Sequence, residues 1–414
     1  MNVSVKKIIF GFLFISILLI PAVLSATDFG IVLNQNAMLG SFKEDDSVFE
    51  YRADLIPRFS TMIDKNGSFI VTAGLTFGFK DDTFTFVPEI LHTEYLNLFE
   101  ISGMPIWLRA GRIPYSDPLG FIAEGLFDGV HVSHTAPMGY FGFGLWYTGL
   151  LYKKNINVEM SNTDRGNNDI PFEFSDFTDT YFAPGRILAA FDYEHPSLLE
   201  ILRLKSSLMV QFDLTGGEET INSQYLSVKA GYPWERFLFE AGGILQLSQI
   251  KLKTDNTVNL AFAGDLGISW HLPVENNSLL SLNMLITSGQ TSELMGAFIP
   301  ITSKNQGRIF QPILSALTVF KLNYSSRLSE SMGASITASY FIRNDKFSFN
   351  NFNINTEGGG FFLGPELYAR FVWNLFSDLQ LNLGAGVFAP SLGDAAPNDK
   401  LQWRADLTVV FSIY

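Results

Sequence analysis

The C-terminal stretch WRADLTVVFSIY, residues 403–414, alternates between apolar and polar side chains almost without a break. One face carries the apolar residues Trp403, Ala405, Leu407, Val409, Phe411 and Ile413, and the other carries Arg404, Asp406, Thr408 and Ser412. Successive side chains of a strand point to opposite faces, so this period predicts a strand with one apolar face. Because the chain contains no later hydrophobic helix, we interpret it as the closing strand of a transmembrane β-barrel.

The N-terminus has the features of a secretion signal. Two lysines precede the apolar run 8–19, and small residues follow it up to Ala26. The pattern predicts a removable signal peptide, residues 1–26, with cleavage after Ser25 or Ala26, and one barrel domain over 27–414. An uncleaved anchor is the alternative, but the apolar run is shorter than the ~20 residues of a spanning helix.

The composition favours a membrane barrel over other classes. The chain has 39 Phe, 14% aromatic residues, only 17% charged residues and a mean hydropathy of +0.17. A soluble β-sandwich or propeller would share the alternation but would be more polar. No cysteine is present, which excludes disulfides and a lipoprotein anchor. The net charge is −13, and loss of the two signal-peptide lysines makes it −15, so nucleic acid is not an expected partner.

Stretches of period two, separated by Gly, Pro, Asn and Asp, predict about eighteen strands. They cover 28–38, 47–61, 67–80, 83–97, 104–113, 125–135, 139–152, 183–194, 202–214, 221–232, 235–248, 258–272, 277–288, 311–325, 329–343, 360–373, 377–389 and 400–414. Alternate connections are tight turns, and the others are longer and polar, notably 114–124, 153–182, 289–310, 344–359 and 390–399. This alternation predicts short periplasmic turns and long outer loops, with both termini on the periplasmic side. Sixteen strands is the alternative if 83–97 and 125–135 belong to loops.

Charged residues share one face of many predicted strands, which indicates a water-filled interior. An Arg or Lys facing lipid at the midplane costs ~2–4 kcal/mol, so these faces should point inward. The candidate pore-lining residues are Arg52, Arg58, Arg109, Arg112, Arg186, Lys205, Asp213, Glu240, Asp265, Lys321, Glu366, Arg370, Arg404 and Asp406. Cross-strand ion pairs that stiffen the wall are the alternative interpretation of these charges.

The segment LRAGRI, residues 108–113, is followed by a Pro/Gly-rich loop and then by Phe127-Asp128-Gly129-Val130. Together with the runs 364–370 and 381–390, it resembles porin-like outer-membrane channels, including the alginate-export type. The resemblance covers about 75 residues and implies an eighteen-stranded barrel that passes solutes without a cofactor, with Arg109 and Arg112 near the pore mouth. The predicted lumen is not dominated by arginine, so specificity for an anionic polymer is not carried over.

Catalytic patterns are scarce, and we expect no enzymatic activity, no cofactor and no metal. His131 and His134 lie three apart and so fall on opposite strand faces, whereas His92 and Glu94 share a face and are interpreted as a ladder contact. The oxygen-rich run 162–169 lacks the spacing of a calcium loop and is interpreted as a disordered polar loop.

The leading functional prediction is a passive or weakly selective porin-like channel in a bacterial outer membrane, through which small polar solutes diffuse. The loops 114–124 and 153–182 are the candidates to fold inward and narrow the lumen. The alternatives are a fatty-acid-type channel for hydrophobic substrates, or a surface adhesin that presents long loops. The expected partners are outer-membrane lipids, small polar solutes and, through the C-terminal strand, the barrel-assembly machinery, and a homo-oligomer remains open. Tyr414 falls in phase with the polar face, which weakens the assembly signal without removing it.

Overall fold

The computed structural model describes residues 27–42, 47–80, 83–217, 219–252, 256–274, 276–290, 294–346, 359–390 and 400–413. The predicted signal peptide and the terminal residue Tyr414 lie outside these ranges. The described residues form eighteen antiparallel strands that follow one another around the barrel. They are β1 (Thr27–Ser41), β2 (Ser47–Met62), β3 (Gly67–Lys80), β4 (Thr83–Ile101), β5 (Met104–Ser116), β6 (Glu124–Ala136), β7 (Gly139–Tyr147), β8 (Arg186–Leu198), β9 (Leu202–Asp213), β10 (Glu219–Trp234), β11 (Phe237–Leu252), β12 (Asn256–His271), β13 (Leu279–Thr287), β14 (Leu317–Arg327), β15 (Met332–Arg343), β16 (Phe362–Asn374), β17 (Leu379–Phe388) and β18 (Gln402–Ile413).

The sheet closes on itself through its first and last strands. β1 pairs with β2 on one side and with β18 on the other, with Ile31 opposite Ile413 and Ser41 opposite Trp403. The prediction of an eighteen-stranded closed barrel is therefore confirmed. Closure removes the sheet edges that would otherwise expose unpaired backbone groups to lipid.

The two faces of the wall have the predicted chemistry. On β12, the apolar side chains of Phe262, Leu266 and Trp270 are exposed on the outer surface. On β18, the apolar face points outward, and Ile413 is 56% exposed, while Asp406 lies inside the barrel beside Tyr368 of β16. The strands therefore turn apolar residues to lipid, while their inner faces carry polar residues and, in addition, a buried apolar cluster that includes Ile244, Val319 and Phe341.

Three of the outer loops fold toward the barrel interior: L3 (117–123), L4 (148–185) and L7 (288–316). All the described helices lie in L4: α1 (Lys153–Ile156), α2 (Asn162–Asp169), a 3-10 turn (Phe174–Asp176) and α3 (Phe177–Tyr181).

Helix α2 corrects one prediction, because the run 162–169 is not a disordered loop. The Ser161 hydroxyl accepts a hydrogen bond from the Asp164 N–H, and the Asp164 carboxylate accepts one from the Ser161 N–H. This reciprocal capping box satisfies two of the N–H groups that a helix start leaves unpaired.

The predicted strand 311–325 is also corrected, because β14 begins only at Leu317. Residues 311–316 belong to L7, where Leu314 and Ala316 are buried. Pro312 lacks a backbone N–H, and Ala316 adopts a φ of 49°, so this segment does not continue the ladder.

Candidate solute pathway in the barrel lumen

The outer half of the β5–β6 hairpin bends into the lumen and carries L3 across it. The Tyr115 hydroxyl donates to Asp192 on β8 at 3.1 Å and lies 3.3 Å from the Ser207 hydroxyl on β9. Farther along, the side chain of Leu119 packs on Gly242 of β11, where a Cβ would come within 2.9 Å of it. L3 therefore spans the lumen from one wall to the other.

A single buried carboxylate fixes the shape of L3. Asp117 accepts hydrogen bonds from the backbone N–H groups of Leu119, Ile122 and Ala123, at 2.8 to 3.1 Å. Burial raises the pKa of the Asp117 carboxyl, while these donors stabilise its charged form and oppose the shift.

L7 folds inward as well, which the sequence did not predict. The Ile299 carbonyl accepts a hydrogen bond from Tyr225 of β10 at 2.8 Å, and the Ile301 N–H donates to the Ile122 carbonyl of L3 at 2.7 Å. Phe298 and Ile301 are fully buried. The two predicted inward loops, 114–124 and 153–182, are joined by this third one, and the three pack together inside the barrel.

Arg186 attaches L4 to the wall. Its guanidinium lies 2.5 Å from the Asp164 carboxylate of α2 and 3.1 Å from Asp213 of β9. The side chains of Arg186 and Asp213 have no exposed surface. Both were predicted to line the pore, and this is corrected: they form a buried attachment of a loop, not part of an open surface.

Arg112 is corrected in the same way, whereas Glu366 borders the cavity beside L7 but holds that loop through its carboxylate. Glu366 is 4% exposed and accepts the backbone N–H groups of three consecutive L7 residues, 308–310, at 2.8 to 2.9 Å. Arg112 is also 4% exposed and binds Asp128 through two hydrogen bonds of 2.9 Å. Arg112 is thus paired with the neighbouring strand β6 and reaches L4 through the Leu150 carbonyl at 3.1 Å, whereas Glu366 binds the L7 backbone directly. Both charges are satisfied, as a buried ion requires.

Several other candidates form ion pairs along the wall. They are Arg52 with Asp54 at 2.9 Å, Arg109 with Glu94 at 2.7 Å, Lys205 with Glu194 at 3.0 Å, Lys229 with Glu240 at 3.0 Å, and Arg404 with Asp406 at 2.9 Å. His92 contacts Glu94 at 3.0 Å, so the predicted ladder contact exists. Arg58 and Asp265 have no ion-pair partner among the described residues. In the same part of the chain, no group of three His, Asp or Glu residues is placed to hold a metal.

A cavity of about 540 Å³ lies between L7 and strands β14 to β18. Its lining includes the cationic side chains of Lys304, Arg308, Lys321, Arg370 and Arg404. The acids beside them are already engaged: Glu366 by the L7 backbone, Asp406 by Arg404 and Tyr368, and Glu124 by Lys304 at 2.8 Å. Five cations thus stand against three acids. The cavity therefore presents an excess of positive charge to a solute.

Lys304 and Arg308, which lie on L7, were not predicted from the sequence to line the lumen. The sequence feature that could have indicated them is the run KNQGR at 304–308, which carries two cations and no acid within the predicted loop 289–310. That run could have been read as a charged loop, but not as a lumen-lining one.

No helix among the described residues is both long and apolar enough to cross a bilayer. The barrel itself has an apolar outer face, and its interior holds polar side chains together with an apolar cluster in which Ile122 and Phe298 of the inward loops are buried. Closed barrels of this kind are the form in which strands cross a bacterial outer membrane, and this chain is placed there.

The fold matches solved structures of outer-membrane channels. The chain has the fold of an 18-stranded outer-membrane porin. OccK1 (OpdK) of Pseudomonas aeruginosa is 12% identical, with a TM-score of 0.61 over 94% of this chain and 99% of that one. OccK11 (OpdR) and OprD of the same organism are each 12% identical, with TM-scores of 0.59 and 0.57. Both alignments cover 94% of this chain, with 97% of OccK11 and 94% of OprD. No protein-family model matches the chain, and no curated protein matches it. The predicted porin-like barrel is confirmed.

Proposed function

We propose that the protein is a passive outer-membrane channel for small polar solutes, with a preference for solutes that carry a carboxylate. The cationic cavity beside L7 carries this proposal. Planar carboxylates pair well with guanidinium groups, and the cavity holds Arg308, Arg370 and Arg404 within one lining.

Two further observations support an axial path through the barrel. The inward loops narrow the lumen while the cavity and the wall ion pairs keep polar surface along it. OpdK, which has the same fold, has been crystallised with vanillate, an aromatic carboxylate. We expect no enzymatic activity, and self-association stays a prediction.

The test is the reversal potential of single channels in a planar bilayer under a salt gradient. In the double variant Arg308→Gln/Lys321→Gln, two cavity charges are lost while both side chains stay polar. We expect anion permeability to fall relative to cation permeability, and flux of a small aromatic carboxylate to fall more than that of its neutral amide.

The matched control is Arg327→Gln, because Arg327 lies at the periplasmic end of β14 and binds only turn carbonyls among the described contacts. Its reversal potential should equal that of the unmodified protein. Equal effects of the two changes, or no conductance from a correctly folded barrel, would contradict the proposal.

A further inference from the structure

The barrel wall parts between β4 and β5 in its outer half. Pairing of the two strands runs from Ile101 opposite Met104 to Thr93 opposite Arg112, and stops there. β5 then bends inward at Gly111, which has a φ of 123°, while β4 continues outward through 83–92 paired with β3. In the described chain, this part of β4 has a strand partner on one side only.

Side chains, and not the backbone of a neighbouring strand, bind the free backbone edge of β4. The Tyr181 hydroxyl donates to the Pro88 carbonyl at 3.2 Å, and the Arg112 guanidinium donates to the Ile90 carbonyl at 2.5 Å. Pro88 itself has no N–H to leave unpaired, which suits a strand edge. Val87, Tyr181 and Phe182 then form a small buried apolar cluster.

Aromatic rings run through this gap from the outer surface to the lumen. Phe86 on β4 stacks on Phe174 of L4 with ring centroids 6.0 Å apart, Phe174 contacts Phe172 at 4.9 Å, and Phe172 contacts Tyr152 at 6.3 Å. The outer end is on the lipid side, since Phe86 lies opposite the outward-facing Phe77, and Phe174 is 59% exposed.

The inner end of the ring path opens on the lumen. Tyr152 and Val87 line a cavity of about 430 Å³ together with polar residues of β2 to β4. The acidic residues Glu173, Asp176 and Asp179 of L4 are exposed. Their charges place the gap at the boundary between the outer leaflet and water.

We propose that this gap is a lateral portal, through which hydrophobic solutes with a planar aromatic body pass between the lumen and the outer leaflet. L4 can withdraw from β4 by changing side-chain contacts, without breaking a strand ladder. An aromatic solute replaces the ring contacts that the loop gives up, whereas a purely polar solute cannot. The portal adds a second exit to the axial path proposed above.

The test cross-links the outer end of this series of aromatic rings, between positions 86 and 174. The chain has no cysteine, so the double variant Phe86→Cys/Phe174→Cys can be joined specifically by a short bis-methanethiosulfonate reagent and released by reduction. The probe is N-phenyl-1-naphthylamine, whose fluorescence reports entry into the outer membrane of intact diderm cells expressing the barrel. The matched control is Phe237→Cys/Trp270→Cys, a stacked pair 5.7 Å apart on the lipid face of β11 and β12.

We expect cross-linking of the 86/174 pair to lower probe uptake to the level of cells without the barrel, and reduction to restore it. The control pair should leave uptake unchanged, and the conductance and reversal potential of the cross-linked protein should stay as they were. In the separate variant Phe172→Ala, which removes the middle ring, uptake should increase.

Two outcomes would overturn the portal. Probe uptake that is the same with and without the 86/174 cross-link would show that L4 is a fixed part of the wall. A conductance that falls in proportion to uptake would show that L4 controls the axial path instead. Intact anion-selective conductance with no effect on probe uptake refutes the portal alone and leaves the proposed channel standing.

Discussion

Replacing Arg186 with methionine should release L4 from the barrel wall while leaving the barrel folded. The guanidinium lies between Asp164 of α2 and Asp213 of β9, and it also donates to the Ile221 carbonyl at 3.2 Å. Methionine fills similar volume but leaves two buried carboxylates facing each other without a cation.

Removing one partner of a buried ion pair costs about 3–5 kcal/mol, because the remaining charge stays buried without compensation. Here the cost falls on the docked position of L4, since the strand ladders do not depend on Arg186. At 1.4 kcal/mol for each tenfold change, the open population of L4 should rise by about a hundredfold to a few thousandfold.

Trypsin measures that population, because Arg165 lies within α2 and is cleaved only when the helix opens. When opening and closing are fast relative to cleavage, the cleavage rate follows the open population. We therefore expect the rate at Arg165 to rise by the same factor.

Lys205→Met is the control, since it removes an exposed ion pair with Glu194 in which both side chains are at least 44% exposed. Such pairs contribute about 0–1 kcal/mol, so cleavage at Arg165 should change little. A rate for Arg186→Met within a few-fold of the unmodified protein would refute the claim that this buried cluster holds L4.

Three further predictions concern the attachment of L7, the shape of L3 and the bend in β5. Glu366→Ala should detach L7 and increase open-channel current noise, whereas Glu366→Gln, which keeps an acceptor oxygen, should do so less; equal noise in the two would argue against the attachment. Asp117→Ala leaves three N–H donors unpaired, at about 1–3 kcal/mol for each buried group, and should raise conductance by loosening L3, with Asp117→Asn in between. Gly111→Ala should lower the yield of heat-modifiable, folded barrel, because the added Cβ would clash with the Thr93 carbonyl oxygen at a φ that L residues rarely adopt.

The strand count and the facing of the wall could be predicted because both are local properties. The alternation of apolar and polar residues over 403–413 or 258–272 shows which face of the strand contacts lipid. Every residue of the strand must fit one face or the other, so the signal is present at each position. Helix α2 was not predicted, although Ser161 and Asp164 have the spacing of a capping box.

The roles of the charged residues could not be predicted, because they depend on which loop returns to the lumen. Arg186 and Arg404 have the same strand-face signature in the sequence. One is sealed under α2, and the other lines the cationic cavity, since L4 and L7 reach different parts of the wall.

The parting of β4 and β5 shows where strand periodicity stops being informative. Both strands alternate well enough to be predicted, yet alternation reports only the two faces of a strand and not the neighbour along its edge. The edge leaves weaker marks: Pro88, which cannot donate to a ladder, and Gly111, which permits the inward bend. Neither mark reveals what covers the edge, because Pro88 lies six residues beyond Glu94, the partner of Gly111, and the loop that fills the gap, L4, follows β7 and not β5.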